Sequence, residues 1–335
     1  MTGDTTRRDF LRSSSGALLG LGAGLALPAQ KSDALWSSFV GPRKYGEEES
    51  IFDTKIGSYL PPRPLQLFER RLRNLPRAVI VGETHTNPLH HRAELEVIES
   101  LHQLEPERPL VIGMEHFYRQ HQPYLNAYIN RKINLTKLHE LTQWDSTFGY
   151  EFNMWAPILQ YCRENTVPIL GLNCPYPVVH AVSQYGIDQL PAEVQARLPE
   201  MDLRNERHLE RFKLNLGLSE ENGGVGNHGF NVNSPAFERY YQAATLWDEY
   251  MAESASKYLT RPENSSSRIV VLAGAAHVAG RDGIPDRISR RIGESCFTIL
   301  PQGVQWENHN PKITAPPRRD FADWVWYTRR EIDLV

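Results

Sequence analysis

The chain has 335 residues, 40% hydrophobic and 23% charged, an ordinary globular composition sufficient for one large α/β domain or two small ones. A formal charge of −3 lacks the basic excess expected of a nucleic-acid binder. Past the N-terminal region no apolar run reaches the roughly 18 residues of a membrane span, so no integral membrane segment is expected in the mature chain.

In chain order, Thr6-Arg7-Arg8-Asp9-Phe10-Leu11-Arg12 followed by the apolar Gly16–Leu27 reads as a twin-arginine export signal over residues 1–29. Ala26 and Ala29 are the candidate cleavage points, and no Cys stands near them to take a lipid. The expectation is a periplasmic protein or one in another exported compartment. Residues 30–75 hold Pro, Ser and charge and read as an extended lead-in segment closing in a short helix at Leu65–Leu75. Residues 76–335 read as one α/β domain.

Within that domain, short β-rich apolar runs occur at Ala78–Val81, Leu110–Ile112, Val167–Leu170, Ile269–Leu272 and Cys296–Leu300. Helical spacing of apolar residues appears between them, at Leu89–Leu104 and over Trp155, Ile158, Leu159 and Cys162. Strands alternating with helices predict βαβ units, a mostly parallel sheet and helices on both faces. Two stretches interrupt the alternation and read as helical insertions, near 119–150 and 187–235. The second offers Leu190, Val194, Leu198 and Leu203 for packing, and its Gly- and Asn-rich end, residues 221–235, reads as a mobile loop or lid. The cysteines, Cys162, Cys174 and Cys296, are an odd set without metal-site spacing and read as small buried residues.

The strand ends carry the chemistry. The first run exits as Gly82-Glu83-Thr84-His85, the second as Gly113-Met114-Glu115-His116, the third as Gly171-Leu172-Asn173-Cys174, and the fourth as Gly274-Ala275-Ala276-His277. Open parallel sheets bind ligands in the crevice beyond the carboxyl ends of their strands. Glu83, His85, Glu115 and His277 are therefore expected to share a pocket. His90, His91 and His116 are either partners of that set or solvent-facing residues at helix starts.

One further acid follows from helical arithmetic. Phe237–Leu259 reads as a helix with Ser234 as N-cap and Pro235 at its first position. Its apolar stripe contains Asp248, and a buried carboxylate needs an arginine, a histidine or a metal as partner. Carboxylates with imidazoles suit a divalent metal such as Fe, Mn or Zn at Glu83, His85, Glu115, Asp248 and His277, or an acid–base site without one.

The segments VGETHTNPLHH (81–91), GMEHF (113–117), YQAATLWDEYMA (241–252) and VVLAGAAHVAGRDGIP (270–285) resemble the ChaN-like haem-binding uptake family, within the Tiki/erythromycin-esterase-like superfamily. The resemblance implies a mostly parallel sheet with a smaller helical subdomain, haem as cofactor outside the cytoplasm, and a haem-linked homodimer. Superfamily relatives look like metal-dependent proteases and esterases, whose GxxH histidine corresponds to His277 and whose glutamates correspond to Glu83 and Glu115. Three readings are open at this point: an exported haem-binding protein in haem uptake or trafficking, a metal-dependent hydrolase, and a non-catalytic interaction protein. Under the first, Tyr240, Tyr241 and His228 are the candidate axial ligands, since haem iron takes Tyr or His.

Overall fold

The computed structural model describes residues 48–71, 74–218 and 231–330. The export signal, His228 and most of the expected lid lie outside the described residues.

Nine strands form one mixed sheet in the order β2-β1-β9-β7-β3-β6-β4-β5, with β8 added to β7. The strands are β1 (Ser50–Asp53), β2 (Ser58–Leu60), β3 (Ala78–Glu83), β4 (Leu110–Tyr118), β5 (Ile169–Asn173), β6 (Arg268–Gly274), β7 (Cys296–Glu307), β8 (Asn310–Lys312) and β9 (Trp324–Arg329). The inner pairs β7/β3, β3/β6, β6/β4 and β4/β5 are parallel, as is β9/β7. Antiparallel β1 and β2 close one edge.

The helices are α1 (Pro64–Arg71), α2 (Pro88–Leu104), α3 (Gln122–Ile129), α4 (Leu135–Leu141), α5 (Trp144–Thr147), α6 (Ala156–Glu164), α7 (Tyr176–Tyr185), α8 (Ala192–Gln195), α9 (Glu206–Asn215), α10 (Pro235–Leu259) and α11 (Ile284–Ile292). They cover both faces, giving the expected α/β architecture. Successive strand residues point to opposite faces. Val79, Val81, Ile112, Met114, Val270 and Leu272 pack in one core with Val97 of α2, Leu125 of α3 and Leu159 of α6. Ile80, Val111, Ile269, Val271 and Ala273 pack in the other with Val179 of α7, Trp247 and Met251 of α10 and Ile288 of α11. Among the described residues no helix is long and apolar enough to cross a membrane.

Several sequence expectations shift. Residues 50–60 of the lead-in segment, read as extended, supply two strands to the main sheet and pair with β9 near the end of the chain. The third strand starts two residues later than expected and runs on through Asn173. The stretch 119–150 is helical but broken, because Asn134 caps α4 and Gln143 takes a left-handed φ of 50° before α5. In the expected insertion near 187–235, the described residues 187–218 are less continuously helical than expected. Pro191 and Pro199 interrupt it, and regular helix returns only at Glu206, capped by Asn205. Leu190 is buried there, whereas Leu203, expected to pack, is exposed. Ser234 caps α10 with Pro235 at its first position, as the sequence indicated. None of the three cysteines is in a disulfide, and Cys162 and Cys174 are buried.

Candidate functional site

Sheet alternation continues into the strand ends and divides the site between the two faces. Glu83 and His116 extend the face of Val81 and Met114, while Glu115 extends the face of Val111 and Ala273.

On the first face Glu83 is the hub. His85 Nδ1 lies 2.5 Å and His116 Nε2 2.9 Å from its Oε1. His91 Nδ1 lies 2.8 Å from Oε2, and the Trp155 indole N–H donates to the same oxygen at 3.2 Å. Burial alone would favour a protonated Glu83, but the histidines outweigh it and hold the carboxyl well below its usual range. An ionised carboxylate only accepts, so the His85 bond is donated from Nδ1–H. The helical insertion walls this half with aromatic rings. Phe148 and Tyr150 lie 5.0 and 4.8 Å from His85, and Trp155 lies 4.6 Å from His116 and 4.5 Å from His91.

The start of α2 completes the first half. Asn87 caps it, and His90 accepts from the Thr84 N–H at 2.9 Å. Burial, reinforced by neighbouring His91, pushes His90 down to about 3, so it stays neutral. Burial would also strip His91, but Glu83 and Glu94 push its pKa up to about 10. Burial and the charge of Glu83 raise Glu94 well above its ordinary value.

On the second face, Glu115 Oε2 accepts from the Gly274 N–H at 2.7 Å and Asn173 holds the Glu115 carbonyl at 2.8 Å. His277 closes a single helical turn after β6 (Ala275–His277). Its Nε2 faces Glu115 Oε1 at 3.8 Å and its Nδ1 meets Asp248 Oδ1 at 2.6 Å. Asp248 has the partners its burial demands: His277, His208 Nε2 at 3.0 Å from Oδ2, and Arg287 at 3.9 Å. Burial works against its ionised form, but His277 and His208 outweigh it and keep the pKa far below the ordinary value. His277 is disfavoured as a cation by burial, yet Glu115 and Asp248 raise its pKa.

Gly274 is where the halves meet. A Cβ there would lie 3.1 Å from both Cε1 and Nε2 of His85 and 3.5 Å from Glu115 Oε2, so the missing side chain admits the His85 ring. Beside them a cavity of about 30 Å³ is lined by Glu83, Thr84, His85, Ala276, Gln302 and Phe321. That volume holds a water or two.

Glu83, His85, Glu115, Asp248 and His277 thus gather at one sheet edge as expected, but within one-ion reach the donors group differently. Among the described residues, the two sets with all donor atoms within 4.8 Å are Glu83/His85/His116 and Glu83/His91/Glu94. Glu115 and Asp248 are instead bound to Gly274 and to histidines. Tyr240 and Tyr241 are buried on α10, and the Tyr241 hydroxyl donates to His208 Nδ1 at 3.1 Å, so in this arrangement both are packing residues. The two exposed tyrosines among the described residues are Tyr59 and Tyr185.

Sequence reasoning ranked His91 and His116 below the main set and did not name Glu94, His208 or Trp155 as site residues. The signal for Glu94 was present, since three residues on a helix returns it to the face of His91. His208 had none, lying 40 positions from Asp248 in a charged helix.

A family model, "Haem-binding uptake, Tiki superfamily, ChaN", matches residues 74–288. The chain belongs to this family. The ChaN structure of Campylobacter jejuni, described as binding haem cofacially, aligns with 85% of this chain and 98% of its own, at a TM-score of 0.61 and 15% identity. This supports the α/β fold. Protein RETICULATA-RELATED 5, chloroplastic, of Arabidopsis thaliana is 24% identical over 269 residues, covering 75% of this chain. The match spans 34% of that protein's length. An erythromycin esterase mutant in its open conformation matches at a TM-score of 0.38 and 18% identity, covering 67% of this chain and 69% of its own.

Haem is the cofactor this family implies. A porphyrin is an order of magnitude larger than the strand-end cavity, and the donors lining it are shut behind aromatic rings. The residues there fit a small cation or a small polar group, not haem.

Proposed function

We propose that this chain is an exported haem-binding protein serving haem uptake or trafficking, with haem held outside the strand-end cavity and a haem-linked homodimer as its assembly. The observation that carries the reading is the family match across residues 74–288, which spans the strands β3, β4, β5 and β6 that deliver Glu83, Glu115, Asn173 and His277 to the site. The ligand is then an exposed Tyr or His. The exposed Tyr59 and Tyr185, and His228 from the sequence reading, are the side chains to test, and the twin-arginine motif supports export to the periplasm or another exported compartment. Titrating the chain from about residue 30 with haem should give a saturable Soret shift at low micromolar haem, lost when one of the three is replaced. Absence of a saturable shift refutes the reading.

A second reading, a hydrolase, is favoured by one specific observation: two imidazoles at the same edge, each backed by a carboxylate, Glu83–His85 and Asp248–His277. Divergent environments assign the roles. His85, held by Glu83 through Nδ1 and lining the small cavity, is the base toward a water there. His277, its pKa raised, is the proton donor. Glu115, fixed by Gly274, orients His277. A divalent metal held by Glu83, His85 and His116 would supply Lewis acidity to that water. His277→Ala should abolish metal-dependent turnover of ester or peptide substrates, and turnover retained in that variant counts against the assignment.

A further inference from the structure

We infer that Glu83 Oε2, His91 Nδ1 and Glu94 form a second divalent-cation position, so that the Glu83 carboxylate bridges two cations. The two oxygens of Glu83 face different donors. Oε1 faces His85 and His116, and Oε2 faces His91. Glu94 Oε2 lies 3.2 Å from the same His91 nitrogen. All three side chains are buried, Glu94 and His91 with no exposed surface.

Three features select a cation here. His91 Nε2 is engaged by the His85 carbonyl at 3.2 Å, which turns Nδ1 toward the two carboxylates. Without a cation the His91 Nδ1 proton occupies the space between the two carboxylates, and a divalent cation would take its place. Donors about 2.1 Å from an ion and at right angles to one another lie about 3.0 Å apart, and the distances here are 2.8 and 3.2 Å. Glu94 Oε1, buried and without a hydrogen-bond partner, is the further donor that would make Glu94 bidentate. Two carboxylates and one imidazole suit Mn²⁺, Fe²⁺ or Zn²⁺. Trp155 also donates to Oε2, which a two-lone-pair oxygen accommodates beside a cation.

The inference is independent of the haem reading. It shares Glu83 with the hydrolase reading but is read from bound metal rather than turnover, so either can fail alone. Haem-free, chelator-treated full chain is dialysed against Mn²⁺ alone, and against Co²⁺ alone, and bound metal per chain is counted by elemental analysis. Two cations in the wild type, one in Glu94→Gln and in His91→Asn, and none in Glu83→Gln are expected. A wild-type count of one or zero overturns the inference, because it needs no variant to fold. Two cations retained by folded Glu94→Gln, checked by circular dichroism, also overturn it, since the second cation would then not depend on the Glu94 carboxylate.

Discussion

Replacing Asp248 with Asn keeps the shape of the side chain and removes its charge. Asp248 is buried on α10 and accepts from His277 at 2.6 Å and His208 at 3.0 Å, with Arg287 at 3.9 Å. An amide oxygen serves one of the two histidines and turns an N–H₂ group toward the other. Two charge-assisted bonds at about 1.5–3 kcal/mol each are weakened or lost. Breaking a buried ionic cluster from one side costs about 3–5 kcal/mol, which is the expected destabilisation. Arg287 limits the damage, because it keeps Glu249 at 3.2 Å and the Gly283 carbonyl at 3.1 Å.

The gap between wild type and variant should depend on pH. Asp248 has a depressed folded pKa, so its stabilisation is full above the unfolded value of about 3.9 and is lost as pH falls further, by about 1.4 kcal/mol per unit. His277 has a raised folded pKa, in part through Asp248, so that share is full below about 6.5 and is lost as pH rises through the folded value. The gap is therefore widest between about pH 4 and 6.5 and narrows on both sides. Urea unfolding of both proteins from pH 3 to 9 reads it directly. A gap under about 1 kcal/mol at pH 5.5, or one that stays flat down to pH 3, would refute the reasoning.

Gly283→Ala places a Cβ 2.3 Å from the His277 carbonyl oxygen, and since backbone cannot yield as a side chain does, the turn must open. The expected cost is about 1–3 kcal/mol in thermal or urea unfolding, with loss of any His277-dependent turnover. Gly274→Ala meets the movable His85 ring at 3.1 Å instead, so stability should change by less than in Gly283→Ala while metal binding or turnover falls; the reverse ranking counts against the geometry. Tyr241→Phe removes one hydrogen bond to His208 and should cost about 1 kcal/mol while leaving haem titration unchanged. A lost Soret shift in that variant would restore Tyr241 as a ligand.

The central strands were legible because each is a β-branched run bounded by glycine or a polar turn, and parallel strands buried on both faces read that way. The strand-end residues were legible for the same reason: Glu83, Glu115 and His277 directly follow those runs. The edge strands were not. Ser50–Asp53 and Ser58–Leu60 are too short to carry a period, and Trp324–Arg329 follows the Pro- and Arg-rich residues 311–319, which masked its aromatic alternation. The metal grouping escaped for a different reason. Sequence places residues on strands and helices but does not say which face of a sheet two adjacent residues serve until pairing is known. Glu115 and His116 are neighbours in the chain, yet they serve opposite halves of the site.

That division bears on how a chain of a family named for haem can carry a buried Glu/His cluster. The Glu83 half is walled by Trp144, Phe148 and Trp155, with His116 stacked parallel to Trp144, and the cavity it lines has room for a water or two. The Asp248 half is buried and held from α9 and α11 by His208 and Arg287. A large planar ligand must therefore bind outside this edge, where it makes no demand on the buried donors. The buried Glu/His cluster then needs its own reason to exist. An unpaired buried carboxylate costs several kcal/mol, and here Glu83, Glu94, Glu115 and Asp248 crowd one sheet edge with five histidines beside them. Such a cluster fits a cation-binding or acid–base role, and surface haem binding gives it no use. Counting cations and titrating haem on the same preparation therefore tests two functions, and the fold allows both to be present in one chain.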